Sequence, residues 1–158
     1  MKSTLWIDTK TGISGDRFAV ALIGLGAPEC ELIRAGRVTA LHDPTEGGLV
    51  GAFWELAEAC GHTLVIDPQA VIMPPISRKI CQAFGINPLE MIASGALLLT
   101  TPPEETSAIC HALQEKGGTC VEIGTVEVGS SQVLQSTCQG SMPLPRPVRD
   151  EIARVFEE

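Results

Sequence analysis

The continuous apolar run ALLLT at residues 96–100 constrains the fold of this chain more than any other feature. Gly95 precedes the run and Pro102 lies just beyond it. An uninterrupted apolar run between such breaks is typical of a strand that is covered on both faces, because neither face is left for water. The sequence therefore predicts a central strand with packed layers on both sides of its sheet.

Shorter strand and helix patterns alternate along the rest of the chain. Strands are predicted at residues 4–8, 37–41, 64–66 and 120–128, the last with an interruption at Gly124. Helices are predicted at residues 49–60, 76–84, 103–116 and 148–157. Residues 129–147 are rich in Gly, Ser, Gln and Pro and are predicted as a loop with room for one strand at residues 133–134. This mixture indicates an α/β or α+β class, in which helices cover a mixed sheet.

Two further predictions concern helices. The apolar residues from Phe18 to Leu25 recur at helical spacing, which predicts a helix that Gly26 ends. Glu104 and Glu105 fall in the first turn of the helix predicted at residues 103–116, where acidic side chains complement the helix dipole.

Length and composition favour an ordinary globular protein. The 158 residues are enough for one domain that buries about two-thirds of its unfolded surface, and the 44% hydrophobic and 19% charged fractions are usual for this class. No apolar stretch reaches the roughly 18 residues that a membrane helix needs, and Asp8 interrupts the N-terminus before any signal-peptide core. We therefore expect a soluble, cytoplasmic protein with no membrane partner.

Charge and cysteine placement exclude further classes. The formal net charge of −8, with 11 Lys and Arg residues scattered along the chain, argues against nucleic acid as a partner. The six cysteines form no CxxC pair, and four lie in apolar patterns where reduced cysteine packs as a small hydrophobe, so we expect no disulfide. Cys60 with His62, and Cys110 with His111, lack the paired spacing of a structural zinc site, so no metal site is expected.

The segment HDPTEGG, residues 42–48, precedes the helix predicted at residues 49–60. Asp43 fits the N-cap position, Pro44 the first helical position and Glu46 the third. Together they form a variant of the capping box, in which the two acidic side chains satisfy free N–H groups at the start of the helix.

The capping box does not explain Gly47 and Gly48. Each glycine in a first turn weakens a helix by about 0.5–1 kcal/mol relative to alanine. Paired glycines allow a close approach, either of a neighbouring backbone or of an anionic ligand that binds the free N–H groups. Spacing alone favours packing against a neighbouring strand, and it favours His42 as a core or edge histidine over a catalyst.

Three ordered segments carry a family resemblance. They are VTALHDPTEGGLVGAFWELAEACGHTLVID, INPLEMIASGALLLTTPPE and ALQEKGGTCVEIGTV. Together they resemble the C-terminal domain of the AIR synthase superfamily, and the resemblance covers residues 37–158. The superfamily includes aminoimidazole ribonucleotide synthetase (PurM), formylglycinamide ribonucleotide amidotransferase, selenophosphate synthetase, thiamin-monophosphate kinase (ThiL) and the hydrogenase maturation protein HypE. The HDPTEGG and SGALL segments resemble HypE and its AIR synthase-related relatives most.

This resemblance implies a fold and a binding surface. It implies a mixed sheet with helices on both faces and a partly ferredoxin-like topology. Superfamily members are two-domain enzymes that use ATP to phosphorylate an oxygen or selenium of a small substrate, and their C-terminal domain closes the cleft. By motif, a small anionic ligand or substrate would be bound by His42, Asp43, Thr45, Glu46, Gly47 and Gly48, with Ser94 and Gly95 on the neighbouring turn. No catalytic residue is implied.

The resemblance covers only the C-terminal domain, and no segment of this sequence resembles the ATP-binding domain of the superfamily. Residues 1–36 are too few for that domain, and the cysteine that ends HypE is absent from the final residues VFEE. We therefore expect a binding or assembly module without ATPase activity by itself, which forms a homo-oligomer such as a dimer or pairs with a separate ATP-binding subunit. ATP and Mg²⁺ would enter only with such a partner. The alternative is the trans-acting half of a split phosphoryl-transfer enzyme of the HypE or PurM type.

A second resemblance lies at the N-terminus. The segment LWIDTKTGISGDRFAVALIGLGAP resembles the opening of the nickel-pincer cofactor protein LarC, with Arg17 in place of a methionine. Residues 1–36 are therefore interpreted as a strand-loop-helix extension that precedes the AIR synthase-related domain at residues 37–158. A glycine turn followed by a capped helix explains this segment without nickel chemistry, which we do not assign.

Overall fold

Eight strands form one sheet in the computed structural model, which describes residues 5–7, 17–22, 38–115 and 118–156. Before residue 38 only the backbone of two strands is described. The strands are β1 (Leu5–Ile7), β2 (Arg17–Leu22), β3 (Ala40–His42), β4 (Thr63–Ile66), β5 (Ala96–Thr101), β6 (Thr119–Glu127), β7 (Gln132–Thr137) and β8 (Gly140–Pro143). Their order is β1-β3-β5-β2-β6-β4-β7-β8, and all neighbours are antiparallel except β4 and β7. The predicted mixed sheet is confirmed.

Strand β5 lies inside the sheet between β3 and β2, and all six of its residues are buried. Its side chains alternate between two cores, as the pleat of a strand requires. Ala96 and Leu98 belong to the core on one face, whereas Leu97 and Leu99 belong to the core on the other. The prediction of a strand covered on both faces is confirmed.

The described helices are α1 (Gly48–Cys60), α2 (Pro75–Phe84) and α3 (Thr106–Glu115). Gly61 and Gly85 end α1 and α2 in the left-handed conformation, with φ angles of 72° and 63°, directly after the helix ends that the sequence predicts at residues 60 and 84. None of the helices in the described part of the chain is long and apolar enough to cross a membrane.

The helices cover both faces of the sheet. Phe53 of α1 lies in the same core as Leu98, whereas Ile109 of α3 lies in the same core as Leu99. Since Leu98 and Leu99 point to opposite faces of β5, α1 and α3 pack on opposite sides. This arrangement confirms the predicted fold class.

Residues 17–22 correct the sequence prediction. The apolar spacing predicts a helix from Phe18 onward, but these residues form β2, which pairs antiparallel with both β5 and β6. A short apolar run suits a strand between two neighbours as well as it suits one face of a helix, and here the hydrogen bonds to two neighbouring strands decide the conformation. The predicted helix end at Gly26 lies outside the described residues.

Both strands before residue 37 take part in the sheet. β1 pairs antiparallel with β3, and β2 occupies a position between β5 and β6. The boundary at residue 36 stays a prediction, and the strand-loop-helix description of the extension is wrong where it makes residues 18–22 helical.

Three other elements differ from their predicted bounds. Helix α3 begins at Thr106, because residues 102–105 first form a turn in which the Glu105 N–H donates to the Pro102 carbonyl oxygen at 2.9 Å, so Glu104 and Glu105 precede the helix. The segment predicted as a loop contains both β7 and β8, which pair as a hairpin. The predicted C-terminal helix is a short 3₁₀ helix at Glu151–Phe156.

Strand β6 contains a β-bulge opposite β2. Phe18 pairs with Gly124 while its neighbour Ala19 pairs with Glu122, so Ile123 is an extra residue on β6. A Cβ atom on Gly124 would lie 2.1 Å from the Val65 carbonyl oxygen, which explains why glycine stands beside the bulge. The interruption predicted at Gly124 is therefore a bulge within one strand.

Candidate functional site

His42 ends β3 and is buried. Its Nε2 atom lies 2.6 Å from Oε2 of Glu55, whose side chain is about half exposed. Its Nδ1 atom is buried and has no hydrogen-bond partner among the residues that the structure describes. A buried ring nitrogen without a partner is costly, so His42 is a core histidine that the described residues satisfy at only one of its two ring nitrogens.

The predicted capping box is wrong. Helix α1 begins at Gly48, with Gly47 as its N-cap at a φ of 77° and no side chain that caps the helix. The Gly48 N–H donates to the Thr45 carbonyl oxygen at 3.2 Å, so a turn precedes the helix. This turn, together with the left-handed Gly47, delays the helix start, and Asp43 and Glu46 therefore lie before its first turn.

Two N–H groups at the start of α1 are occupied by distant parts of the chain. The Gly47 N–H donates to Oδ2 of Asp150 at 2.9 Å, and the Val50 N–H donates to the Leu89 carbonyl oxygen at 3.0 Å. The helix dipole favours negative charge at this end, and the Asp150 carboxylate supplies it. An external anion could bind the Gly47 N–H only by displacing Asp150.

Gly48 is explained by a close backbone approach. A Cβ atom at this position would lie 2.5 Å from the carbonyl oxygens of both Leu89 and Met91. Of the two interpretations of the paired glycines, backbone packing therefore accounts for Gly48. The neighbouring backbone belongs to the loop at residues 89–91, and not to a strand as the sequence interpretation has it.

The predicted turn at Ser94 and Gly95 lies beside this loop. The Thr45 carbonyl oxygen accepts a hydrogen bond from the Ala93 N–H at 3.3 Å, so the two predicted segments meet at Thr45. Ser94 and Gly95 line a mostly apolar cavity of about 230 Å³ together with Leu49 of α1. The cavity is not lined by the other predicted residues, which run from the end of β3 to the start of α1: His42, Asp43, Thr45, Glu46, Gly47 and Gly48. The eight predicted residues thus lie in two adjoining parts, the loop and the cavity.

Asp150 is the site residue that sequence reasoning missed. The sequence around it reads as the start of a solvated helix, and nothing local points to Gly47, which is 103 positions away. Its Oδ1 atom accepts the Ile152 N–H at 2.9 Å, so one carboxylate caps the 3₁₀ helix and holds the start of α1. The only local signal is an aspartate at a helix N-cap position.

Glu151 fastens the same segment to the loop before residue 91. Its carboxylate accepts the Asn87 N–H at 3.0 Å and binds the Arg154 guanidinium at 2.8 Å. These two hydrogen bonds, the Arg154 one foremost, lower the pKa of the Glu151 carboxyl from its ordinary value, although burial opposes the shift. Asp150 and Glu151 together hold the C-terminal segment against the candidate site.

The described residues contain no group of three or more His, Cys, Asp or Glu side chains that could hold a metal ion. What the site offers a ligand is therefore a mostly apolar cavity with the Ser94 side chain in its wall, and backbone N–H groups that become available only when their present acceptors are displaced. Such groups suit binding and orientation.

The family model for the AIR synthase related protein, C-terminal domain, matches residues 4–136. The chain belongs to this family. The AIR synthase-related match includes β1 and β2, so it begins well before residue 37, where the resemblance in the sequence starts. It also includes the loop that precedes α1 and the turn at Ser94.

Two curated relatives show how much of the sequence is shared with known proteins. Carbamoyl dehydratase HypE of Rhodobacter capsulatus is 32% identical over 106 residues, which are 65% of this chain and 31% of that protein. The pyridinium-3,5-bisthiocarboxylic acid mononucleotide nickel insertion protein of Nocardioides sp. is 24% identical over 176 residues, covering 96% of this chain and 44% of that protein. Similarity to this nickel insertion protein thus extends far beyond the N-terminal segment. The AIR synthase-related chain spans less than half of either relative.

Solved structures share the fold. The crystal structure of E. coli HypE matches with a TM-score of 0.80 and 22% identity, covering 95% of this chain and 55% of that one. HypE in complex with ATP matches with a TM-score of 0.74 and 21% identity, covering 88% and 52%. The HypE–HypF complex matches with a TM-score of 0.70 and 19% identity, covering 86% and 54%. These matches confirm the HypE-like fold.

Proposed function

We propose that this chain is a binding and assembly module, which closes over an ATP-binding partner domain and has no ATPase activity by itself. Two findings support the proposal. The chain covers 52% of a HypE chain whose structure is a complex with ATP, so about half of that protein has no counterpart here. The described residues also contain no group of three or more His, Cys, Asp or Glu side chains that could hold a metal ion. In this proposal the partner domain supplies the sites for ATP and Mg²⁺.

The purified 158-residue chain is expected to release no phosphate from ATP in the presence of Mg²⁺ above the rate of a buffer blank. The measurement is a continuous phosphate-release assay, with light scattering on the same sample to record its oligomeric state. We expect at least a dimer at micromolar concentration. Hydrolysis that scales with protein concentration would contradict the first part of the proposal, and a clean monomer would contradict self-association.

An exposed apolar stripe on α2 supports the proposal that this chain associates with another protein chain. Ile76, Ile80 and Phe84 recur every four residues on this helix, and their exposed fractions are 65%, 47% and 60%. Side chains at this spacing share one face of a helix. Exposed apolar stripes of this kind are typical of protein interfaces, whether with a second copy or with a separate ATP-binding subunit.

The carboxylate of Asp150 carries the proposal of an anionic ligand. It binds the Gly47 N–H within the loop that the family resemblance assigns to substrate binding. A helix N-terminus that already holds a negative charge suits a phosphate or carboxylate of a small ligand equally well. We propose that such an anion replaces Asp150 when the partner domain closes, next to Thr45, Ser94 and Gly95.

Replacing Asp150 with alanine is expected to strengthen the binding of tripolyphosphate about tenfold, because the ligand no longer displaces one charge-assisted hydrogen bond. Isothermal titration calorimetry of both proteins measures the effect. Asp67→Ala is the matched control, since Asp67 also accepts a backbone N–H within a turn, from Gln69 at 2.9 Å. Equal gains in both variants would assign the effect to net charge alone. No binding by any of the three proteins would remove the anionic ligand from the proposal.

The second candidate is the trans-acting half of a split phosphoryl-transfer enzyme. It is favoured by the similarity to carbamoyl dehydratase HypE at 32% identity and by the existence of a HypE–HypF complex among the matching folds. Mixing this chain with the N-terminal, ATP-binding half of a HypE protein distinguishes the candidates. Hydrolysis of ATP that appears only in the mixture supports the split enzyme, whereas binding without hydrolysis supports the assembly module.

A further inference from the structure

Two cysteines lie in contact on the face of the sheet opposite α1. Cys110 on α3 and Cys120 on β6 place their Sγ atoms 3.3 Å apart. Cys120 is buried in the core that also contains Ile109 and Leu113, and Cys110 is half-buried at its edge. This pair is separate from the loop at the start of α1, whose core lies on the other side of the sheet.

The short distance between the two sulfur atoms favours a covalent link between them. A disulfide needs a sulfur–sulfur distance of about 2.0 Å, so a shift of little more than about 1 Å between the two side chains would be enough. Helix α3 already packs on β6, and the Gln114 side chain donates from Nε2 to the Cys120 carbonyl oxygen at 3.2 Å. The link would therefore fasten an existing contact between a helix and a strand.

The two thiols differ in pKa and in exposure, and both differences favour Cys110 as the attacking thiol in thiol–disulfide exchange. The hydrogen bond with Cys120 lowers the pKa of the Cys110 thiol to about 7, although burial and the nearby charge of Glu122 oppose this. The same hydrogen bond, together with burial, raises the pKa of the Cys120 thiol. Cys110 is the more exposed of the two, so the accessible thiol is also the one whose pKa is lowered.

We propose that Cys110 and Cys120 form a reversible redox modification site that is oxidised by low-molecular-weight disulfides. The Cys110 thiolate attacks one sulfur of the small disulfide, whose S–S bond breaks, and the departing thiolate takes up a proton. Cys120 then gives up its proton and attacks Cys110 Sγ, which releases the second small thiol. Two protein thiols are oxidised to one disulfide, and one small disulfide is reduced to two thiols.

Peptide mapping of the oxidised full chain tests this proposal. The reduced protein is incubated with oxidised glutathione, remaining thiols are blocked with N-ethylmaleimide, and the protein is digested with trypsin, which cleaves at Lys116 between the two cysteines. We expect a linked pair of peptides, with fragmentation placing the bond between Cys110 and Cys120. Both cysteines recovered with the blocking group, or a lasting glutathione adduct on Cys110, would overturn the proposal.

Two variants separate this pair from ordinary thiol reactivity. Cys120→Ser removes the resolving thiol and is expected to accumulate at least tenfold more glutathione adduct on Cys110 than the wild type. Cys138→Ser removes an exposed thiol outside the pair and is expected to form the link as the wild type does. Loss of the link in Cys138→Ser, or equal adduct levels in Cys120→Ser and wild type, would contradict the proposed order of attack.

Discussion

Replacing Gly48 with alanine is expected to lower the free energy of unfolding by about 2–5 kcal/mol. The φ of 62° costs an L-residue about 1–2 kcal/mol. The new Cβ would also lie 2.5 Å from the Leu89 and Met91 carbonyl oxygens, and such overpacking costs about 1–3 kcal/mol. Urea unfolding followed by the fluorescence of Trp54, which lies in α1, measures the sum.

Gly85→Ala is the matched control for this variant. Gly85 has a φ of 63°, but no atom lies within 4 Å of the Cβ that alanine would add. Only the conformational cost of about 1–2 kcal/mol is therefore expected. Equal losses in the two variants would show that the loop at residues 89–91 does not press on Gly48, and the explanation of the paired glycines by packing would fail.

The Phe53→Ala variant is expected to lose about 3–5 kcal/mol of stability, a large part of the total for a domain of this size. Phe53 is fully buried on the inner face of α1, and its removal leaves a cavity that the surrounding core cannot fill. The same urea titration measures the loss. Val148→Ala, at a fully exposed side chain outside the stripe of α2, is the control and is expected to change stability by less than about 0.5 kcal/mol. Similar losses in both would contradict the position of the core.

Local sequence patterns predicted the helices and strands that are determined by residues close together in the sequence. The apolar run of β5, the helical spacing of α1 and the glycines that end α1 and α2 all lie where the sequence places them. Strand β2 shows the limit of this approach. Its neighbours β5 and β6 lie more than 70 residues away in the sequence, and only the hydrogen bonds to them make its apolar run a strand.

The candidate site depends even more on distant contacts. The sequence pattern of Asp43 and Glu46 satisfies the rules for a capping box, but the approach of residues 89–91 to Gly48 and the bond from Gly47 to Asp150 place the helix start elsewhere. No pattern within a few residues of Gly47 contains information about Asp150. The binding roles of His42, Asp43, Thr45, Glu46, Gly47, Gly48, Ser94 and Gly95 stay a prediction until ligand binding is measured.

The extra residue Ile123 sets the phase of β6. Before it, Cys120 points to the core beneath α3; beyond it, Val126 points to the core beneath α1, although an even number of positions separates the two. Without the insertion, the second half of the strand would turn its apolar side chains away from the helix that they now contact. Val121 and Ile123 also face the core beneath α1, so one supernumerary amino acid keeps the side chains at positions 121, 123 and 126 on one side of the sheet, although their spacing changes from two positions to three.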